Sequence, residues 1–184
     1  MVIFSYLVGS LSFGRVLAHR KNIELNNVGT KNPGAYNVYS EISHFWGIVS
    51  GAFDIFKGVL PVFISKAIFN YDFTYILLIA VAAVMGHIWP AYFNFHGGRG
   101  LATSLGTLFV LDFYLAFYVL ILAGVIGFWF RFLSQLEPRI SLLMFPMYIL
   151  SAYYLRANIN LVIVGMFLMI VVYIKAIQLR YSSA

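Results

Sequence analysis

No cysteine occurs in this chain, and charged residues of either sign are scarce. The absence of cysteine excludes disulfide bonds and thiolate chemistry. Only 10% of the 184 residues are charged and 62% are hydrophobic, whereas a soluble domain carries about 25% charged residues. The composition therefore predicts an integral membrane protein, with one compact helical domain over residues 1–184.

Several functional patterns are missing as well. The chain has no Walker motif, no nucleophile elbow, and no His and Glu spacing typical of metal ligands. We therefore expect no metal and no cofactor. The net charge of +6 suits anionic lipid headgroups or an anionic substrate, but no soluble basic face is present to bind nucleic acid.

Hydrophobic runs predict an all-α bundle with about seven transmembrane helices, since a spanning helix needs about 20 apolar residues. The first run lacks a basic n-region and a cleavage site, so we expect a retained span rather than a signal peptide. The run 101–130 contains one charge, Asp112, and could form one long helix or two; we favour two, partly from the resemblance described below. The candidate spans are Met1–Ala18, Phe45–Ala67, Thr74–Phe93, Leu101–Leu111, Phe113–Phe130, Ile140–Leu155 and Ile159–Ile174.

The distribution of Lys and Arg predicts the orientation, because cytoplasmic loops carry an excess of both. With seven spans and the N-terminus outside, nine of these residues fall on one side, two on the other, and Lys57 within a span. We therefore expect the first loop, the Gly97–Gly100 turn and the C-terminus to face the cytoplasm. The nine are Arg15, Arg20, Lys21, Lys31, Arg99, Arg131, Arg139, Lys175 and Arg180.

The first loop, Val28–Val38, is rich in Gly, Asn, Pro and Thr. These residues form turns and bring hydrogen-bonding groups with them. The loop could hold phosphate oxygens through Thr30, Lys31, Asn32, Gly34 and Asn37, although an ordinary surface turn would have a similar composition.

A second candidate is the pair Asp54 and Lys57, which lies within a predicted span. Their spacing of three places them on one helix face, where they can pair. The pair could be a structural link between helices. It could instead attract an anion through Lys57, with Asp54 as the group that orients it.

The third candidate is Gly86–Thr103, which places polar groups inside hydrophobic surroundings. Glycine-rich backbone exposes N–H groups, and an arginine beside it would help them to hold a phosphate. A tight turn with a positive-inside anchor would also fit. A lone histidine such as His87 is more often a hydrogen-bonded core residue than a catalyst. The candidate residues are His87, Gly97, Gly98, Arg99 and Thr103.

Taken together, these segments resemble the bacterial acyl-phosphate:glycerol-3-phosphate acyltransferases, the PlsY family. The resemblance covers about the first 110 residues through four motifs, and the rest through hydropathy. The matching segments are Gly9–Gly14, Val28–Val38, Phe53–Gly58 and Gly86–Thr103.

The resemblance implies a multi-pass membrane enzyme whose site faces the cytoplasm. The implied reaction transfers a fatty acyl group from acyl phosphate to the 1-hydroxyl of glycerol 3-phosphate, giving lysophosphatidic acid and phosphate for phospholipid synthesis. Lys57 and Arg99, with Lys31, would neutralise the substrates, Asp54 would orient Lys57, and His87 would bond near the reacting centre. Thr30, Asn32, Gly34 and Asn37 would donate to phosphate.

The chain also departs from the family pattern, and the departures lie at substrate-facing positions. They motivate an alternative: a non-catalytic relative that binds phosphorylated lipid precursors. A small transporter is a third possibility, but its site would lie near the midplane, whereas the charged motifs here cluster at one face. The departures are Ser12 for Pro, Thr30 for Ser, Lys31 for Gly, Tyr36 for Thr, Ser40 for Arg and Arg99 for Lys, and the family's C-terminal His and Asn-Ile element is not recognisable in residues 173–180.

Overall fold

A computed structural model of the chain describes residues 1–121, 153 and 158–181. Within that part all regular secondary structure is helical. The helices are α1 (Val2–Ser10), α2 (Phe13–Arg20), α3 (Ala35–Glu41), α4 (His44–Ala67), α5 (Phe73–Ile88), a 3-10 turn (Ala91–Phe93), α6 (Leu101–Leu111) and α7 (Ile159–Tyr181).

The first predicted span is interrupted in its middle. Leu11 is extended at the end of α1, and Ser12 is extended before α2 begins. The carbonyl of Leu11 accepts a hydrogen bond from Lys57 Nζ at 2.7 Å. The break between α1 and α2 therefore turns a backbone acceptor toward a buried cation, a feature that the uniform hydrophobicity of Met1–Ala18 does not reveal.

Glycines bring the helices into close contact. A Cβ on Gly9 would lie 2.1 Å from the carbonyl oxygen of Ala83, and one on Gly86 would lie 2.1 Å from that of Tyr6, so α1 and α5 touch through their backbones. Gly58 and Gly106 do the same between α4 and α6. Small residues at helix contacts are the usual means of close packing in membranes.

Four helical stretches are long and apolar enough to cross a membrane, among the residues that the structure describes. They are Val2–Arg20, His44–Ala67, Phe73–Phe93 and Ile159–Leu179. The helix α6 is shorter, and it has the bounds that the sequence predicted. The all-α class is confirmed for this part of the chain, while the total of seven spans stays a prediction.

The predicted turn at Asp112 is confirmed. Asp112 is extended, and its Oδ1 accepts a hydrogen bond from the Leu115 amide at 2.9 Å. This contact caps the helical segment 113–121, because a carboxylate satisfies an amide that has no partner within its helix. The rest of the predicted span Phe113–Phe130, and Ile140–Leu155 except residue 153, lie outside the described residues.

Candidate functional site

The centre of the candidate site is a buried ion pair on α4. Asp54 Oδ1 and Lys57 Nζ are 2.8 Å apart, and the side chains are only 7% and 2% exposed. The predicted pairing on one helix face is therefore confirmed. Lys57 Nζ also donates to the Leu11 carbonyl, so the ammonium is held by one oxygen on α4 and one at the break between α1 and α2.

His87 approaches the same pair from the end of α5. Its Nδ1 lies 3.6 Å from Asp54 Oδ1 and 3.2 Å from Thr103 Oγ1. These two oxygens hold one edge of the imidazole, and the contact made by one ring nitrogen determines the role of the other. Asp54 thus connects the cation on α4 with the imidazole on α5.

Thr103 has a different place from the one that the sequence suggested. It is fully buried on α6, with its hydroxyl against His87 Nδ1. A hydroxyl buried in this way is placed to orient the histidine, and its assignment to substrate binding stays a prediction.

Gly97 and Gly98 form a wall against His87. A Cβ on Gly98 would lie 2.4 Å from His87 Nε2, and one on Gly97 would lie 2.0 Å from the His87 carbonyl oxygen. The Gly97 and Gly98 amides donate to the carbonyls of Ile88 and His87, each at 3.2 Å. These two N–H groups therefore fasten the turn to the end of α5, and the substrate-binding assignment of Gly97 and Gly98 stays a prediction.

The turn ends at the beginning of α6. Gly100 has a φ of +90°, a backbone conformation that glycine adopts without strain, and α6 begins at Leu101. Arg99 is half-buried just before this helix. The first amides of a helix have no partner within it and carry partial positive charge. The predicted role of Arg99 in binding an anion beside them stays a prediction.

The first loop is held together by Asn37. Its Oδ1 accepts from the Thr30 amide at 2.9 Å, and its Nδ2 donates to the carbonyls of Leu25 and Val28 at 2.9 and 3.0 Å. The side chain is 1% exposed. In this structure Asn37 therefore uses its amide group to shape the loop, and its predicted contact with phosphate stays a prediction.

The other loop candidates lie nearer to the solvent. Lys31 is exposed and has a φ of +53°, while Thr30 and Gly34 are half-buried. Asn32 is buried, and its Oδ1 has no hydrogen-bond partner among the described residues. Neither a phosphate role nor a purely structural one is tested for these four, so their assignment stays a prediction.

A narrow cleft opens onto the ion pair. The cations in its lining are Lys57 and Arg15, and no carboxylate lies among the described residues that form its walls. Such a cleft has the electrostatic character of an anion site. Its walls include Ser10, Leu11, Ser12, Pro33, His87, Pro90, Gly97 and Gly98.

Arg15 lines the cleft and Lys175 is buried beside Trp89, and the sequence analysis used both only to predict orientation. Arg15 lines the cleft from α2, and Lys175 is 4% exposed on α7, with its Nζ 6.0 Å from the centre of the Trp89 ring. The signal was available, because an ionisable residue inside a hydrophobic span is a candidate functional residue in its own right.

A second, apolar cavity of about 270 Å³ lies on the other side of α6. Side chains of α5, α6 and α7 line it, among them Ala80, Leu105, Leu108 and Val164. The cavity suits a hydrocarbon chain, because it is concave and almost wholly apolar.

No group of three or more His, Cys, Asp or Glu side chains is placed to hold a metal ion within residues 1–121, 153 and 158–181. The expectation that no metal or cofactor takes part stays a prediction. The arrangement places a buried ion pair and an imidazole beside a cationic cleft of about 10 Å³, a volume that holds about one water.

The fold and the cleft define a helical membrane protein with a cationic, glycine-walled site. Comparison with known proteins gives this class a family. The family model described as glycerol-3-phosphate acyltransferase matches residues 1–181. A glycerol-3-phosphate acyltransferase of Aquifex aeolicus is 32% identical over 90% of this chain and 86% of its own length. One of Idiomarina loihiensis is 33% identical over 100% of this chain and 91% of its own length.

Solved structures agree. Crystal structures of PlsY, an integral membrane glycerol 3-phosphate acyltransferase, superimpose with TM-scores of 0.80 for the glycerol 3-phosphate form and 0.78 for the lysophosphatidic acid form. Their identities to this chain are 31% and 28%, over 99% of this chain and 87% of theirs. The chain belongs to the PlsY family of glycerol-3-phosphate acyltransferases, which are integral membrane enzymes of phospholipid synthesis.

Proposed function

We propose that the protein transfers a fatty acyl group from acyl phosphate to the 1-hydroxyl of glycerol 3-phosphate. The hydroxyl oxygen forms an ester bond with the acyl carbon, and the bond from that carbon to the phosphate oxygen breaks. The products are lysophosphatidic acid and inorganic phosphate, which leaves with the bonding electron pair and takes up the hydroxyl proton.

The observation that carries this proposal is the buried Asp54–Lys57 pair, which meets His87 at a cleft walled by glycine. Both proposed substrates carry a phosphate, and the cations in the cleft would stabilise that charge. Support also comes from the relatives: solved structures of PlsY exist in a glycerol 3-phosphate form and a lysophosphatidic acid form.

Each side chain has a proposed role. Lys57 and Arg99, with Lys31 at the loop, neutralise phosphate charge, and Asp54 orients Lys57. His87 hydrogen-bonds near the acyl carbonyl or the attacking hydroxyl, and Thr103 holds its ring. Catalysis then comes mainly from bringing two reactants together in a water-poor, cationic site. Thr30, Asn32 and Gly34 are the proposed loop contacts to phosphate.

We assign no protein group as the base for the acceptor hydroxyl: no carboxylate faces the cleft among its described residues, and the proposed role of His87 is a hydrogen bond near the reacting centre. The departing phosphate takes the proton instead, since a phosphate oxygen becomes more basic as the bond to the acyl carbon breaks. The apolar cavity beside α6 would hold the acyl chain, with its polar end directed to the cleft.

The topology is part of the proposal. A single domain of seven spans, with the N-terminus outside, would place the cleft and the first loop at the cytoplasmic face. The nine-to-two distribution of Lys and Arg supports this orientation.

The direct test incubates the purified full chain in detergent with a long-chain acyl phosphate and labelled glycerol 3-phosphate. We expect labelled lysophosphatidic acid and one phosphate released per ester formed. Arg99→Ala should lower kcat/KM by about 10- to 100-fold, the range for loss of a hydrogen bond to a charged group. Near-normal turnover in Arg99→Ala would contradict the role of Arg99.

The alternative is a non-catalytic family member that binds phosphorylated lipid precursors. Its motivation is Ser40, exposed on α3 at the position where the family has an arginine. Binding of glycerol 3-phosphate without product formation, beside an active family member as the control, would favour this alternative over the enzyme.

A further inference from the structure

Arg15 occupies an unusual place for a charge in the first span. It lies on α2, one residue after Gly14, whose Cβ position is blocked by Val38 and Ser50. This close contact with the first loop and α4 holds the helix against the site. Arg15 thereby lines the same narrow cleft as Lys57 and His87.

The guanidinium is fixed in position by three neighbours. One terminal nitrogen donates to Asn26 Oδ1 at 3.2 Å and to the His96 carbonyl, and the Phe93 ring centre lies 5.2 Å from the guanidinium carbon. Two of these neighbours, Phe93 and His96, lie just before Gly97 in the sequence. Arg15 is therefore positioned in advance, and little side-chain entropy remains to be lost when an anion binds.

One donor of this fixed group is unused. Arg15 Nε is buried and has no hydrogen-bond partner among the described residues. Glu24, an acidic side chain that interacts electrostatically with Arg15, lines a neighbouring pocket and not the cleft. A buried N–H without an acceptor is costly, so an oxygen ligand that reached it would recover that free energy.

The arginine that the family's loop has at the position of Ser40 is absent from this chain. Ser40 is exposed, and its hydroxyl donates to the Asn37 carbonyl at 3.3 Å. The side chain of Lys31, which the sequence analysis considered as a substitute, is exposed on the loop. Arg15, in contrast, lies in the wall of the cleft itself.

We propose that Arg15 is a phosphate-binding residue of this site. Its guanidinium and the Lys57 ammonium hold one substrate phosphate between them. A cation on α2 thus replaces the missing loop arginine as a phosphate ligand. This inference rests on the proposed acyl transfer, and it assigns phosphate binding to a residue outside the first loop. Either glycerol 3-phosphate or acyl phosphate could supply the group.

The experiment compares Arg15→Gln with the wild-type chain. KM is measured for each substrate separately, and inorganic phosphate serves as an inhibitor. We expect the KM of one substrate and the Ki of phosphate to rise about 10- to 100-fold, since a charge-assisted hydrogen bond is lost. A KM increase with kcat kept within a few-fold is the mark of lost binding. The substrate whose KM rises identifies the source of the phosphate.

Arg20→Gln is the matched control. Arg20 is exposed at the end of the same helix and does not line the cleft, so its loss removes one positive charge and leaves the site intact. KM and the phosphate Ki should stay at wild-type values. Arg15→Lys keeps the charge but loses the planar fork, and we expect an intermediate effect.

A structural role for Arg15 predicts a different pattern. The contacts with Asn26 and His96 would be lost, the melting temperature and kcat would fall, and the phosphate Ki would not change; that pattern overturns the inference. If Arg15→Gln does not fold, the phosphate Ki of Arg15→Lys is the test. A wild-type Ki in that variant would contradict phosphate binding by Arg15.

The proposed function can fail separately. If the wild-type chain forms no lysophosphatidic acid, acyl transfer is wrong, but calorimetric binding of glycerol 3-phosphate still measures Arg15. Inorganic phosphate is titrated in the same way, since it represents the phosphate of either substrate. Weaker binding of inorganic phosphate to Arg15→Gln than to Arg20→Gln would then support the role of Arg15, and equal binding would refute it.

Discussion

The two sides of α6 differ in polarity and in packing density. On one side, Thr103 contacts His87, and Gly58 of α4 packs so closely that a Cβ there would lie 2.3 Å from the Thr103 carbonyl oxygen. On the other side, Leu105 and Leu108 line a cavity of about 270 Å³. The same short helix thus packs tightly against α4 and His87 on one side and borders a roomy apolar cavity on the other.

The difference teaches where this protein tolerates change. The polar side depends on specific hydrogen bonds and backbone contacts, and each of these is either made or lost. The apolar side depends on the volume and shape of aliphatic side chains, which can adjust with a graded cost. Substitutions on the two sides should therefore differ in size and in kind.

The largest effect is expected at the ion pair. Lys57→Met removes the cation and leaves Asp54 buried without it. We expect a loss of about 1,000-fold in kcat, and a decrease of about 3–5 kcal/mol in the free energy of unfolding, since an uncompensated buried charge remains. Turnover and thermal unfolding in detergent measure the two effects.

The double variant Asp54→Asn/Lys57→Met sharpens this prediction. It replaces both charges, so much of the lost stability should return while turnover stays low. If the double variant recovered activity together with stability, the pair would be a structural link only.

A smaller effect is expected at the glycine wall. Gly98→Ala would place a Cβ 2.4 Å from His87 Nε2, so the imidazole must move. A displacement of about 1 Å in a catalytic group can cost about 100-fold in rate, and we expect a loss of that order in kcat/KM.

Gly51→Ala is the control for the glycine wall, because its Cβ would meet only the Ala35 Cβ, at 3.4 Å. Its turnover should stay close to wild type. Equal activity of Gly98→Ala and Gly51→Ala would show that the position of His87 is unimportant.

The smallest effect is expected in the cavity. Val164→Phe would fill part of it, and we expect kcat/KM for a 16-carbon acyl phosphate to fall by about 10-fold, within the range for a change in a hydrophobic pocket. The kcat/KM for a short-chain acyl phosphate should stay at the wild-type value. The measurement is kcat/KM as a function of acyl-chain length, for Val164→Phe and for the wild type.

Ile163→Phe serves as the matched change on α7, because Ile163 is 57% exposed and does not line the cavity. Its chain-length profile should match that of wild type. A uniform loss for all chain lengths in Val164→Phe would argue that the acyl chain binds elsewhere.

Local patterns were enough to predict several features. A spacing of three placed Asp54 and Lys57 on one helix face, and the run between Gly100 and Asp112, together with the family resemblance, predicted the bounds of α6. These features follow from short-range geometry: side chains three apart meet on a helix, and a carboxylate caps a new helix at a turn.

Other features depended on contacts between distant segments. The amide of Asn37 donates to the carbonyls of Leu25 and Val28, and the hydroxyl of Thr103 contacts His87, and residue type alone predicted neither of these contacts. A residue's type states which hydrogen bonds it can make, but only its neighbours determine which are already made.

Composition, hydropathy and four short motifs were sufficient for the membrane class, for the family and for the ion pair at the centre of the site. The break between α1 and α2, the use of the Gly97 and Gly98 amides and the place of Arg15 were decided by tertiary packing. The physical reason is that burial and hydrogen-bond pairing across helices depend on atoms far apart in the chain: Arg15 meets the carbonyl of His96, and Leu11 meets Lys57, only after the helices have packed.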